Sequence, residues 1–171
     1  MTIVYESATG FTKKYAEMLR EETGLPCLSL SEAEQTLPAD EEILFLGYVF
    51  KRKIQGAEKA AKRFRVKAVL AVGINRPRES AADYLRRESR LPEDVPVFMA
   101  LGGIDRQKIT GLKKMMLTAM TRGLEKGFKK SEEDKAMLDL LLYGGDWSSR
   151  EQLAPILEWY KEQRGMPELT P

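Results

Sequence analysis

The chain has 171 residues, with 28 Lys and Arg against 26 Asp and Glu for a formal net charge of +2, and 43% of its residues are hydrophobic. That length accommodates one domain with a proper core, and a charged fraction of 32% set against that apolar content excludes a disordered chain. No apolar run approaches the ~20 residues of a membrane-spanning helix. The chain opens on a strand pattern rather than a charged segment followed by an apolar one, so no signal peptide is expected.

Histidine is absent. Ser-His and Cys-His nucleophile pairs, histidine general bases and histidine-ligated zinc or haem are thereby removed together. The single cysteine, Cys27, can neither close an internal disulfide nor hold an iron–sulfur cluster alone, which fits a reducing, cytoplasmic setting. Redox chemistry here requires an organic cofactor.

Ile3-Val4-Tyr5 reads as a buried strand. A helical pattern begins at Lys13, carries Tyr15, Ala16, Met18 and Leu19, and runs to about Glu22, where Gly24 and Pro26 stop it. Between strand and helix lie Ser7, Ala8, Thr9, Gly10, Phe11 and Thr12. A helix N-terminus collects free backbone N–H groups with partial positive charge behind them. Ser7, Thr9 and Thr12 add three hydroxyls, Gly10 permits a close backbone approach, and no carboxylate lies between Ser7 and Lys14. The stretch has the character of a phosphate cradle. The alternative is plainer: Thr12 is an ordinary N-cap and Gly10 an ordinary turn.

Cys27-Leu28-Ser29-Leu30 is a short strand, and Ser31 to Glu34 has capping-box spacing before Pro38. Ile43-Leu44-Phe45-Leu46-Gly47-Tyr48 is a continuous apolar run, the mark of a strand covered on both faces. A loop through Lys53 leads to a helix near Ala57 to Phe64. Ala68 to Val72 is a fourth strand, followed by Gly73-Ile74-Asn75-Arg76-Pro77, a helix from about Glu79 to Glu88, and a fifth strand from Val97 to Leu101. Strand alternating with helix five times predicts an α/β, doubly wound, five-stranded parallel sheet with helices on both faces.

Ligands of such sheets bind beyond the carboxyl ends of the strands, where strand order reverses. Residues 7–12, 47–53 and 73–77 meet there. The pattern Ser7-x-Thr9-Gly10-x-Thr12 after an N-terminal strand resembles the FMN phosphate loop of flavodoxins, and lacks both the Walker ending and the three-glycine dinucleotide fingerprint. The resemblance implies FMN as cofactor and a strand order of 2-1-3-4-5. It places Tyr48, Val49, Phe50 and Lys51 on one side of the isoalloxazine ring and Gly73, Ile74 and Asn75 on the other. Tyr48 and Phe50 are the stacking candidates, with Lys51 and Arg52 offsetting negative charge near the ring. The competing expectation is that Tyr48 packs in the core and the basic pair is solvated. Unlike many flavodoxins, the chain has no aromatic after Gly73 until Tyr84.

After Leu101, Gly102-Gly103-Ile104-Asp105 leads to a helix with Ile109, Leu112, Met116, Ala119 and Met120 at helical spacing. From Arg106 to Lys130, eight Lys and Arg face one Glu, a local charge of +7 that leaves −5 for the rest of the chain. Ser131-x-x-Asp134 caps a further helix through Leu142, and Gly144-Gly145-Asp146-Trp147 turns into the last helix, whose start carries Ser148-x-x-Glu151 and whose apolar face is Leu153, Ile156, Leu157 and Tyr160. A helical insertion over about 105–143 thus sits within a single domain spanning 1–171. This part resembles the flavodoxin-type, quinone-dependent protoporphyrinogen oxidase branch, through its Gly-rich exit, basic Met-rich helix and Asp146-Trp147. That resemblance implies electrons passed from a porphyrinogen towards a membrane quinone.

The expectation is an FMN-binding redox protein that exchanges electrons with a partner protein or quinone. A quinone-linked oxidase and a cofactor-less interaction module are the alternatives. The basic segment suits an acidic partner or an anionic membrane surface, although a core-facing side of a sheet-covering helix has the same apolar spacing. The basic run lacks interleaved aromatics, so nucleic acid is not expected.

Overall fold

A computed structural model describes residues 1–76, 78, 80–127 and 131–165. Pro77, Glu79, Phe128, Lys129 and Lys130, which fall within the expected third loop, fourth helix and basic segment, lie outside the described residues. Among the described residues, no helix is long and apolar enough to cross a membrane.

In chain order the elements are β1 (Thr2–Glu6), α1 (Phe11–Thr23), β2 (Cys27–Ser29), α2 (Leu30–Thr36), β3 (Glu42–Phe50), β4 (Lys53–Ile54), α3 (Ala57–Arg63), β5 (Arg65–Gly73), α4 (Ala81–Glu88) and β6 (Val97–Leu101). They are followed by β7 (Gly103–Ile104), α5 (Gly111–Gly127), α6 (Glu132–Tyr143), β8 (Gly145–Asp146), a 3-10 turn over Arg150–Leu153, and α7 (Ala154–Gln163). The parallel strands lie in the order β2-β1-β3-β5-β6. This is the expected 2-1-3-4-5 arrangement, because the two-residue β4 only folds back antiparallel onto the end of β3. The topology is flavodoxin-like.

Two cores follow from the alternation of side chains along each strand. Val4, Ile43, Phe45, Val69 and Ala71 face α2, α3 and α4 through Leu30, Ala33, Ala57, Ala60 and Leu85. Ile3, Leu44, Leu46, Leu70 and Val72 face α1 and α7 through Tyr15, Ala16, Leu19, Ile156 and Tyr160. Leu44, Leu46 and Leu70 are fully buried, so the continuous apolar runs read as doubly covered strands are doubly covered. Covering both faces fixes the register of every central strand, and with it the position of each loop at the carboxyl edge.

Several local expectations change. The loop expected over 47–53 is mostly strand: β3 continues to Phe50 and reverses at Lys51 and Arg52, both at positive φ (49° and 65°). The capping box before α2 belongs to Ser29 and Glu32, not to Ser31 and Glu34. Ser29 takes the Glu32 amide while the Glu32 carboxylate takes the Ser29 amide, so both free donors at that helix start are satisfied. The last helix opens through the 3-10 turn and Ala154-Pro155, while Ser148 is held by Asp146. Ser131 does cap α6, accepting the Asp134 amide at 3.1 Å.

The insertion has a small core of its own, built from Ile104, Leu117, Leu140 and Leu141 with Ile74, Ile109, Met137 and Trp147 packed against it. The Met-rich helix α5 meets this core through Leu117, and Thr121 is buried one turn further on. Leu112, Met115 and Met120 are 49%, 64% and 42% exposed. Part of the apolar arc of α5 therefore faces solvent, while Leu117 packs on the insertion's own core.

Candidate functional site

Chain reversal after β1 is tight because Gly10 takes φ 103°, a conformation that L side chains rarely adopt. Gly10 stands at the N-cap position of α1 with no side-chain cap of its own. Ser7 supplies the cap instead, its Oγ accepting the amides of Gly10 at 3.2 Å and Lys13 at 3.4 Å. Thr12, the N-cap in the plainer alternative, sits inside the first helical turn instead and is 1% exposed. The amides of Ala8, Thr9, Phe11 and Thr12 donate to no acceptor among the described residues, and neither do the hydroxyls of Thr9 and Thr12. Four N–H groups and two hydroxyls thus stand at the mouth of α1, where the helix dipole adds partial positive charge.

Positive charge gathers around this mouth. A β-carbon placed on Gly10 would lie 3.9 Å from Lys108 Nζ. Lys108 is paired with Asp105 at 3.1 Å and reaches back from the start of the insertion, 98 residues along the chain. Lys14, in the first turn of α1, bridges to Asp146 of β8 at 2.6 Å. Burial raises the Asp146 pKa, but the hydrogen bonds from Lys14 and from the Ser148 hydroxyl and amide outweigh it and hold the carboxyl below its usual range. The Lys108 ammonium, joined by the Gln107 amide, likewise draws the Asp105 carboxyl down. Asp105 and Asp146 are thus each engaged by a lysine, while Glu6, the residue before Ser7, has no ion pair among the described residues.

The Phe11 ring is used for packing. It lies against the backbone of Gly103, where an added β-carbon would come within 2.6 Å of the ring and 2.2 Å of the Gly145 carbonyl. Gly103 admits no side chain because the Gly145 backbone and the Phe11 ring converge on it. The join is reinforced by Tyr15, whose hydroxyl donates to Leu101 O at 2.6 Å and accepts the Ser149 amide at 3.2 Å. Gln152 accepts the Leu101 amide at 2.6 Å and donates to Trp147 O at 2.8 Å.

The other expected contacts are arranged as follows. Tyr48, beside Val72 at the carboxyl end of β3, is half-buried and lines a cleft of about 240 Å³ with Glu6, Leu30, Glu34, Gln55 and Lys59. That cleft lies between α2 and α3, adjoins the loop only through Glu6, and has none of residues 7–12 or 73–75 in its walls. Phe50 is half-buried with Lys51 Nζ 5.8 Å from its ring centroid, and Lys51 and Arg52 form the exposed hairpin tip. Val49 does reach the third loop, lying 3.7 Å from the β-carbon position of Gly73. Ile74 packs into the core of the insertion, and Asn75 is exposed. Arg76 bridges Glu133 at 3.0 Å, so the third loop is tied to the insertion at two points.

Sequence reasoning missed Lys108 as a neighbour of the loop, and it missed a second cavity of about 390 Å³ beside β8. Trp147, the exposed Tyr143, Leu140 and Asp139 line that cavity. The Asp146-Trp147 pair was the available signal for it. No family model matches this chain, and no curated protein matches it significantly.

Proposed function

We propose that the chain is an FMN-binding redox protein that moves electrons between a donor and an acceptor. The observation that carries this reading is the set of unpaired amides of Ala8, Thr9, Phe11 and Thr12 at the start of α1. They stand at the edge where β1 and β3 adjoin, the strand-order reversal at which doubly wound sheets take their ligands. The donor set fits a phosphate monoester: amides and hydroxyls from one short loop and a cation beside Gly10, with Asp105 and Asp146 both paired to lysines. Bound flavin would supply the one- and two-electron chemistry that these side chains lack.

In this reading residues 7–12 anchor the phosphate, and Val49 and Gly73 form the base on which the ring rests. Phe50 and Lys51, at the end of β3 and the hairpin tip, border the ring, whereas Tyr48 belongs to the cleft between α2 and α3. Thr12→Val keeps the size of the side chain while removing a hydroxyl. It is expected to weaken FMN binding roughly tenfold and to leave the fold unchanged, as read by flavin fluorescence and thermal denaturation. An unchanged FMN affinity in Thr9→Val and Thr12→Val alike would favour the cofactor-less interaction module.

A second reading adds a lipid-soluble quinone as acceptor, with the chain peripheral at an anionic membrane. It is favoured by the outward face of α5, where Leu112, Met115 and Met120 are exposed on a basic segment. Co-sedimentation with anionic but not neutral vesicles, lost in Met115→Glu, is the expected outcome. Anaerobic turnover of a porphyrinogen with menaquinone tests the oxidase form of this reading, and no turnover across several quinones removes it.

A further inference from the structure

The insertion begins with a rigid turn whose geometry bears on the loop after β1. Asp105 Oδ1 accepts the Gln107 amide at 3.1 Å and Asp105 O accepts the Lys108 amide at 3.1 Å, so one side-chain and one backbone bond close the turn around Arg106. Arg106 is fixed to the Leu141 carbonyl of α6, and Ile104 is paired with Gly145. Two residues before this turn, Gly103 touches the Phe11 ring. Lys108 is thus presented to the mouth of α1 from a support anchored to the loop itself. Its ammonium hangs near Gly10 with one carboxylate partner among the described residues, Asp105 at 3.1 Å, and its side chain is 62% exposed. Thr12, in the first turn of α1 two residues past Gly10, is 1% exposed.

The geometry points to Lys108 as the residue through which the insertion clamps a phosphate monoester on the loop, making the site selective for phosphorylated over unphosphorylated ligand. This rests on the phosphate-loop reading above and adds to it a residue from outside the loop. A dianion seated on the free amides would meet an ammonium already poised above Gly10. The contact with Asp105 holds that ammonium in place until the second, stronger anion arrives. Because the same turn carries β7 and the start of the basic segment, the ligand's phosphate and the insertion become energetically linked.

The test compares wild type with Lys108→Met, which keeps most of the stem, and Lys108→Arg, which keeps the charge. FMN and riboflavin affinities are measured by quenching of flavin fluorescence. The expected result is a loss of roughly tenfold for FMN in Lys108→Met with riboflavin unchanged, and recovery in Lys108→Arg. Equal losses for both flavins, or none for FMN, overturn the role of Lys108. If wild type quenches neither flavin, the flavin proposal falls and orthophosphate becomes the probe. A rise in the thermal midpoint with orthophosphate over chloride of equal ionic strength, present in wild type and absent in Lys108→Met, still supports the clamp. An equal rise in both, or no rise in wild type, overturns it.

Discussion

The hydroxyl of Tyr15 donates to the carbonyl of Leu101 at 2.6 Å, joining the second turn of α1 to the carboxyl end of β6 across 86 residues of chain. The same oxygen accepts the Ser149 amide, so one side chain secures the loop-bearing helix, the edge strand and the return of the insertion. Tyr15 is fully buried, and burial pushes its phenol pKa up, so the group is a neutral donor at physiological pH. Tyr15→Phe leaves a half-buried carbonyl and a half-buried amide without their partner. The expected cost is about 1–3 kcal/mol in chemical denaturation, and a variant as stable as wild type would show the bond to be dispensable.

Asp146 links stability to acid. Its carboxyl titrates below the usual range in the folded chain because Lys14 and Ser148 favour its charged form over the burial that opposes it. A depressed folded pKa means that its contribution is complete above the unfolded value, about 4, and is lost as pH falls through the folded one. The difference in stability between wild type and Asp146→Asn is therefore expected to be constant from pH 5 to 7 and to shrink below about pH 4. A difference that grows on acidification would contradict the assignment.

Lys51 and Arg52 occupy left-handed backbone at the tip of the β3–β4 hairpin, with φ of 49° and 65°. Two-residue hairpins with both central φ values positive favour Asn-Gly there, and non-glycine residues cost about 1 kcal/mol each. The double variant Lys51→Asn with Arg52→Gly is expected to raise stability by about 1 kcal/mol while weakening flavin binding. A stabilised protein with undiminished flavin affinity would remove Lys51 from the site.

Gly103 is a position of close approach. A methyl group there meets the Gly145 carbonyl and the Phe11 ring at once, and neither is the free end of a flexible side chain. Gly103→Ala is expected to cost about 1–3 kcal/mol by overpacking and to displace Phe11, loosening the loop that follows β1. The readout is paired: a lower denaturation midpoint together with weaker FMN binding, set against Gly123→Ala, where an added β-carbon has nothing within 4 Å.

Much of the fold is written in local patterns. The runs Ile43 to Tyr48 and Ala68 to Val72 are apolar because both sheet faces are covered, and Gly24 ends α1 at φ 69° as a C-cap glycine should. The hairpin after β3 was not legible, because Lys51-Arg52 carries none of the Asn-Gly chemistry that marks such turns. The direction of α5 was not legible either. Apolar spacing defines an arc on a helix but not what covers it, and here Leu117 and Thr121 turn inward while Leu112 and Met115 do not. Ser7 replaced Thr12 as the cap because its oxygen spans to residues three and six positions ahead, a reach set by the positive φ of Gly10. Lys108 over Gly10 and Trp147 beside Gly102 are contacts between distant segments, beyond any window of local sequence.

The most direct test is the amide spectrum of ¹⁵N-labelled protein titrated with FMN. If the loop after β1 holds the phosphate, the proton resonances of Ala8, Thr9, Phe11 and Thr12 move downfield together and saturate at one equivalent, while riboflavin leaves them in place. Saturating FMN that leaves those four amides unmoved, or that moves only resonances elsewhere, contradicts the assignment.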